Sequence, residues 1–296
     1  MWLIITIISY FLNAVSLLIN KFLINKKITN PAVYAIFICL LMVFSLLLLP
    51  FDWRLPDVWQ LVLEVVSGFL FGAGVYWMFV SLKFGEASRV MPIIGGVQPL
   101  IVLPLAWWWL GEDVSYRFLL ALVLIVVGGF IISYGGGRAE KKAYGYAIIS
   151  GIVFAISIVM LKEAFNLHQG FIAPFAISRL GSVLLGLLLL ISPNNWRDVW
   201  REIKTPQKES GSLFLWGQGA GALSSILLNL AFAISVGMTA IINALQGLQY
   251  VFLLLAIVIL AKKFPQVLKE DVSSGVLTQK ILATILIIFG LFLIAF

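Results

Sequence analysis

Four polar side chains in the first hydrophobic run, Ser9, Asn13, Ser16 and Asn20, are spaced 4, 3 and 4 residues apart. That spacing sets all four on one narrow face of a helix. Later runs carry similar stripes: Gln218, Ser225 and Asn229 share a face in one, and Asn243, Gln246 and Tyr250 share one in another, with Gln249 at its edge. Gln98 lies within a further run, and Tyr76 and Trp77 within another. Hydroxyls and amides at these places make and break no bonds. They hydrogen-bond, either from helix to helix or to a polar solute whose hydration they would replace. Aromatic rings beside them would supply stacking faces and gates.

Charges inside the runs are few. Glu64 lies about two turns into its run, and Arg179 lies about as deep in another. An arginine at mid-helix costs roughly 2.5–3.5 kcal/mol on insertion scales. Arg179 is shallower than that and is expected to snorkel, pairing with Glu163. Glu64 is a candidate proton-coupling carboxylate; an interfacial position is the plainer reading of both residues. Pro92, Pro99 and Pro104, with Gly95 and Gly96 between them, predict a kinked helix whose freed carbonyls would face a substrate. Hydrolytic and metal chemistry find no support. There is no H-E-x-x-H motif, every Asp lies in or at the edge of a loop, and His168, the single histidine, is read as a loop residue without a ligand cluster. The reading is therefore a non-enzyme, with no metal and no cofactor.

The elements that hold these residues follow from composition. The chain is 62% hydrophobic and 11% charged, with mean hydropathy +1.08, more apolar surface than a soluble domain of this length can bury. The apolar residues fall in runs long enough to cross a bilayer: 2–20, 32–50, 58–82, 90–110, 117–134, 143–161, 171–191, 212–236, 238–261 and 278–296. Lipid cannot satisfy an open backbone, so each is read as a helix. The fold class is an all-α polytopic membrane protein of about ten transmembrane helices. The net charge of +7 is scattered over short loops, which reads as topology rather than nucleic-acid binding. Lysine and arginine concentrate in the odd loops, which places those in the cytoplasm and both termini outside a cytoplasmic (inner) membrane. Trp53, Trp59 and Trp107–Trp109 are expected to anchor one interface. Trp196 and Trp200, four residues apart in the polar loop 192–211, read as a helix resting on the other. Cys39, the single cysteine, is a packing residue.

The chain also repeats itself. Ile7-Ile8-Ser9 returns as Ile148-Ile149-Ser150, Ser16 and Lys21 as Ser157 and Lys162, and Ala121, Ile125 and Gly128 as Ala283, Ile287 and Gly290. The first copy is 1–137 and the second 138–296, with the polar link 135–142 at the boundary. Each copy holds an odd number of spans, so the two sit upside down relative to each other as inverted five-helix repeats. Polar stripes in several helices of such repeats favour a wet central cavity over helix-to-helix bonding, because carriers of this architecture bind substrate at the repeat interface. Gly68-x-x-x-Gly72 and Gly217-x-x-x-Gly221 are read as sites of close helix packing.

The run Gly85-Glu86-Ala87-Ser88-Arg89-Val90-Met91-Pro92, followed by Leu110-Gly111-Glu112-Asp113 and a helix with Gly128-Gly129, resembles the EamA-like domain of the drug/metabolite transporter superfamily. Arg179 resembles the arginine that often opens the second helix of such a domain. The resemblance spans nearly the whole chain as two five-helix domains. It implies a ten-helix carrier working by alternating access, with a cavity built from helices 1, 3, 4, 6, 8 and 9. It further implies export of amino acids, other metabolites or drugs, driven by a proton or substrate gradient. The chain departs from the pattern in three ways. Asn13 stands where four-helix multidrug relatives rely on a helix 1 glutamate, Lys269-Glu270 replaces the Gly-Glu pair in the second half, and the charge bias puts the termini outside.

The reading drawn from all of this is a carrier exporting a small polar solute. Its cavity would use Ser9, Asn13, Ser16, Tyr76, Trp77, Gln98, Gln218, Ser225, Asn229, Asn243, Gln246 and Tyr250. Glu64 and Arg179 would be its charged groups, protons its coupling ion, and Pro92 and Pro99 its kink. Its partners are the solute and the lipid bilayer, with no nucleic acid, and the sequence leaves the oligomeric state open. Two other classes stay open: a lipid or lipid-carrier flippase, with a groove open sideways and basic residues at its rim, and a structural or regulatory subunit whose stripes face a partner helix.

Overall fold

The computed structural model describes residues 1–23, 30–52, 56–85, 87–113, 115–133, 140–204, 211–261 and 274–295. Among them the fold is all helical, with no strand. The helices are α1 (Trp2–Leu23), α2 (Pro31–Leu41), α3 (Val58–Phe84), α4 (Ala87–Trp109), α5 (Tyr116–Ser133), α6 (Lys141–His168), α7 (Ile172–Leu190), α8 (Pro193–Lys204), α9 (Gly211–Ile234), α10 (Thr239–Ala244), α11 (Gly247–Ala261) and α12 (Ser274–Ala295). A 3-10 segment, Met42–Phe51, continues α2. Six of these stretches are long and apolar enough to cross a membrane, and shorter apolar helices lie at 93–109, 116–131 and 239–253. The chain is a multi-pass membrane protein.

Three expectations change. The run 238–261 is not one helix: it is interrupted after Ala244 and restarts at Gly247. The run 32–50 tightens to 3-10 geometry halfway along. His168 is not a loop residue but the last residue of α6, where it is buried 3.6 Å from Asp52. The predicted kink helix α4 runs as continuous helix through the buried Pro99 and the exposed Pro104. The side chains of Asn20, Ala87, Ser88, Arg89, Pro92 and Tyr250 lie outside the described residues, as do Glu86, the link 135–139 and 262–273 with Lys269 and Glu270.

Local chemistry sets the helix ends. Asn30 caps α2, its Oδ1 accepting from the Ala32 amide at 3.0 Å, with Pro31 at the first helical position. Asp57 and Gln60 form a reciprocal capping box at the start of α3. Gly111 and Gly237 take positive φ (64° and 67°) in the turns after α4 and α9, where a Cβ would be strained.

The chain forms two compact units. One comprises residues 28–112 and 138–206, the other 1–27, 113–137 and 207–296, so each draws on both halves of the sequence. In the first unit α3 packs against α6 and α7. Serine hydroxyls tie α3 to α6 at three levels. Ser81 donates to the Ala143 carbonyl (2.7 Å), Ser150 to that of Gly74 (2.8 Å) and Ser157 to that of Ser67 (2.8 Å). Against α7 the approach is closer still: a Cβ on Gly68 would fall on the Ser178 carbonyl, and one on Gly181 on that of Val65. Ser182 donates to the Gly68 carbonyl at 2.6 Å. The Gly68-x-x-x-Gly72 ridge is thus a packing surface, Gly72 meeting Leu185 and Cys39.

In the second unit α1 pairs with α9 and α5 with α12. Ser9 and Ser224 exchange bonds, each hydroxyl donating to the other's carbonyl at 2.8 Å. Between α5 and α12 a Cβ on Gly128 would lie 2.7 Å from Ile287 and 2.8 Å from the Ala283 carbonyl. One on Gly290 would lie 2.6 Å from Ile125 and 3.0 Å from the Ala121 carbonyl. Interhelical hydrogen bonds in membranes contribute about 0.6 kcal/mol on average and up to about 1.7 kcal/mol. Because each of these buried bonds ends on a backbone carbonyl that alanine retains, Ser9→Ala and Ser224→Ala should each cost about 1 kcal/mol in detergent unfolding. Single variants as stable as the parent would show that the two bonds do not form.

Candidate functional site

In the second unit the candidate residues gather around the interruption between α10 and α11. Amide-to-carbonyl bonds there switch to i→i+3: Gln246 to Asn243 (3.1 Å), Leu248 to Leu245 (2.9 Å) and Gln249 to Gln246 (3.1 Å). A 3-10 joint inside an apolar run marks strain or a hinge. Its polar groups are managed from α1. The Tyr10 hydroxyl donates to the Ile242 carbonyl at 2.9 Å, and Asn13 donates from Nδ2 to Gln249 Oε1 at 2.7 Å. Asn243 is buried at the end of α10, and Gln246 is half-buried in the joint itself.

The rest of the α1 stripe faces α9. Ser9 is occupied by Ser224, and Ser16 is buried with its hydroxyl against Gly221, 2.9 Å from where a Cβ there would sit. On α9, Gln218, Ser225 and Asn229 are each half-buried; Asn229 donates back to the Ser225 carbonyl at 2.8 Å, within its own helix. The stripe therefore divides by depth. Ser9 and Ser16 join helices, while Asn13, Gln218, Ser225, Asn229 and Gln246 keep partial exposure.

The first unit holds the aromatic and charged candidates. Trp77 stacks on Tyr146 (5.5 Å, 18° between planes) and meets Tyr76 edge-on at 5.4 Å. Gln98 is buried on α4. Glu64 is fully buried, and among the described residues neither carboxylate oxygen has a hydrogen-bond partner. An ionised carboxylate without a partner is among the most expensive groups to bury. Arg179 does not snorkel towards Glu163. It is 3% exposed, with its guanidinium over the rings of Phe71 (4.9 Å) and Phe175 (4.5 Å). The glycine-mediated approach of α7 to α3 closes over it, and cation–π contact takes the place of an ion pair. Glu163 instead neighbours Lys162, a buried α6 lysine that also faces Glu112.

Sequence reasoning did not single out Tyr10, Ser224, Tyr146 or Lys162 as site residues. For Tyr10 the signal was present, three residues from Asn13 and therefore beside it on the helix. For the others the partner is set by which helix lies opposite, which spacing within one helix does not encode.

The comparisons with known proteins bear on what these groups serve. The model of the EamA-like transporter family matches residues 1–134. One solved crystal structure, described only as "Crystal structure of protein", is similar over 97% of this chain and 93% of its own, with TM-score 0.67 and 15% identity. At that identity the likeness concerns the fold. No curated protein matches the chain.

Proposed function

We propose that the chain is a secondary carrier exporting a small polar metabolite by alternating access, on the premise that residues 1–134 match the EamA-like transporter family, a domain of the drug/metabolite transporter superfamily. The joint between α10 and α11 carries the reading. Carriers place substrate sites where a membrane helix is discontinuous and its polar groups are exposed to the cavity rather than to lipid. Here Asn243, Gln246 and Gln249 cluster at such a joint, with Asn13 and Tyr10 opposite.

The proposed architecture is ten spans in two inverted five-helix repeats, residues 1–137 and 138–296. Two observations support it. Ser9 and Ser150, equivalent in the repeat, both donate at 2.8 Å to a carbonyl of the third span of the opposite copy, on α9 and α3 respectively. Gly128 and Gly290, also equivalent, each take up the other copy's Ile and Ala: Gly128 against Ile287 and Ala283, Gly290 against Ile125 and Ala121. A reciprocal contact of this kind is what a pseudo-two-fold axis in the membrane plane produces.

The solute is neutral or zwitterionic, since the candidate groups are amides, hydroxyls and aromatics. Glu64 is the coupling carboxylate, and the odd loops face the cytoplasm. The test is flux in proteoliposomes loaded with labelled amino acids and other small metabolites, with and without an imposed pH gradient. The parent is expected to move at least one solute faster with the gradient, and Asn13→Ala with Asn243→Ala to lose at least tenfold, about 1.4 kcal/mol. Folded parent protein that moves none of the solutes would sink the small-metabolite reading and favour a lipid flippase.

A further inference from the structure

Helix α8 has three faces. Asp198 and Glu202, one turn apart, form an acidic edge. Trp196, Val199, Trp200 and Ile203 form an apolar stripe, and Arg197, Arg201 and Lys204 form a basic stripe along its other flank. The structure orients the helix by its first two faces. Val199 is buried with Ala32, Val33 and Ile36 of α2. Asp198 accepts from Asn30 Nδ2 at 2.7 Å, and Asn195 donates to the Leu189 carbonyl at 2.8 Å. The remaining half points outward. Trp196 and Trp200 are more than half exposed and stack with rings 6° from parallel, Lys204 Nζ lies 5.4 Å over the Trp200 ring, and all three basic residues are exposed.

We propose that this outward face of α8 binds the anionic headgroups of the leaflet it lies on, and that lipid charge thereby acts on the start of α2. Charge complementarity names the occupant. A flat indole pair sits at headgroup depth, and the basic flank meets phosphates there, while the acidic residues keep to a separate edge of the helix, Asp198 held by Asn30 and Glu202 exposed. A zwitterionic surface would not require that segregation. The polar link to α2 is the Asn30 side chain. Its Oδ1 caps the first turn of α2 while its Nδ2 holds Asp198 of α8, so beside the Val199 packing one side chain ties α8 to the N-terminus of a membrane span.

The experiment is hydrogen–deuterium exchange on the full chain in two nanodiscs, one of phosphatidylcholine alone and one of equal parts phosphatidylcholine and phosphatidylglycerol. Amides of 194–204 and 32–35 are expected to exchange several-fold more slowly in the anionic disc, with the difference shrinking in high salt. The surface variant R197Q/R201Q/K204Q, checked for an unchanged melting temperature, is expected to lose the difference. Asn30→Ala should keep protection of α8 but lose that of 32–35. Equal exchange in both discs would leave only apolar anchoring and overturn the proposal. So would protection that appears only with two copies per disc, which would make the face a self-interface, and so would a triple variant that still distinguishes the lipids.

Discussion

Gly68→Ala is expected to abolish the folded protein. The Cβ of alanine would fall on the Ser178 carbonyl, a backbone atom of α7 that no rotamer change can move aside. Overpacking a core ordinarily costs about 1–3 kcal/mol, but here the whole α3–α7 contact must open. That also breaks the Ser182 bond to Gly68 and uncovers Arg179 beside its two phenyl rings. Against a total stability of about 5–15 kcal/mol the loss is large enough to be read as aggregation on size-exclusion chromatography. Gly219→Ala is the matched control. It lies on an exposed part of α9 with open space around its Cβ, and alanine there should be neutral or stabilise by about 0.5–1 kcal/mol through helix propensity. A Gly68→Ala protein as stable as Gly219→Ala would show that α3 and α7 do not meet as described.

Glu64→Gln is expected to leave the fold intact and to remove the response of flux to a pH gradient. Glutamine keeps the shape of the side chain but binds no proton, and neutralising a carboxylate that is fully buried without a hydrogen-bond partner among the described residues removes a desolvation burden. The melting temperature should stay equal or rise. Flux down the solute's own gradient should persist, while acceleration by the pH gradient should fall about tenfold, roughly 1.4 kcal/mol. A purely structural Glu64 predicts the reverse pattern: a lowered melting temperature and undiminished gradient response. That split separates a coupling role from a packing role without knowledge of the natural solute.

Much of the fold was legible in the chain because the bilayer imposes one strict rule. A backbone in lipid must satisfy itself, so a run of apolar residues long enough to span is a helix. Stripe residues could be listed for the same reason: polar groups in such runs are costly, and those at spacings of three and four share a face. The Trp196–Trp200 spacing marked a helix in the polar loop 192–211, and α8 lies there with both rings exposed. Proline chemistry predicts a kink in α4, whereas the interruption between α10 and α11, at Leu245-Gln246, was not foreseen. That segment contains no proline, and its joint is held partly by Tyr10 from a residue more than two hundred positions away. His168 was read as a loop residue because only the structure extends α6 far enough to bury it beside Asp52.

The sequence by itself determined the class, the helical character of the runs, the polar stripes and the family resemblance. Tertiary structure alone decided which face of each helix is inside. In water apolar periodicity marks burial, but lipid is as apolar as leucine, so the cue is lost. Ile36 is fully buried and Leu47 is 70% exposed, although both sit in one unbroken apolar run. Only the approach of a second helix separates them. The same approach made Ser9 a bond to α9 while leaving Asn13 for the joint, and set Arg179 against phenyl rings rather than a carboxylate. Each outcome depends on a partner distant in sequence, and spacing within a helix carries no record of that partner.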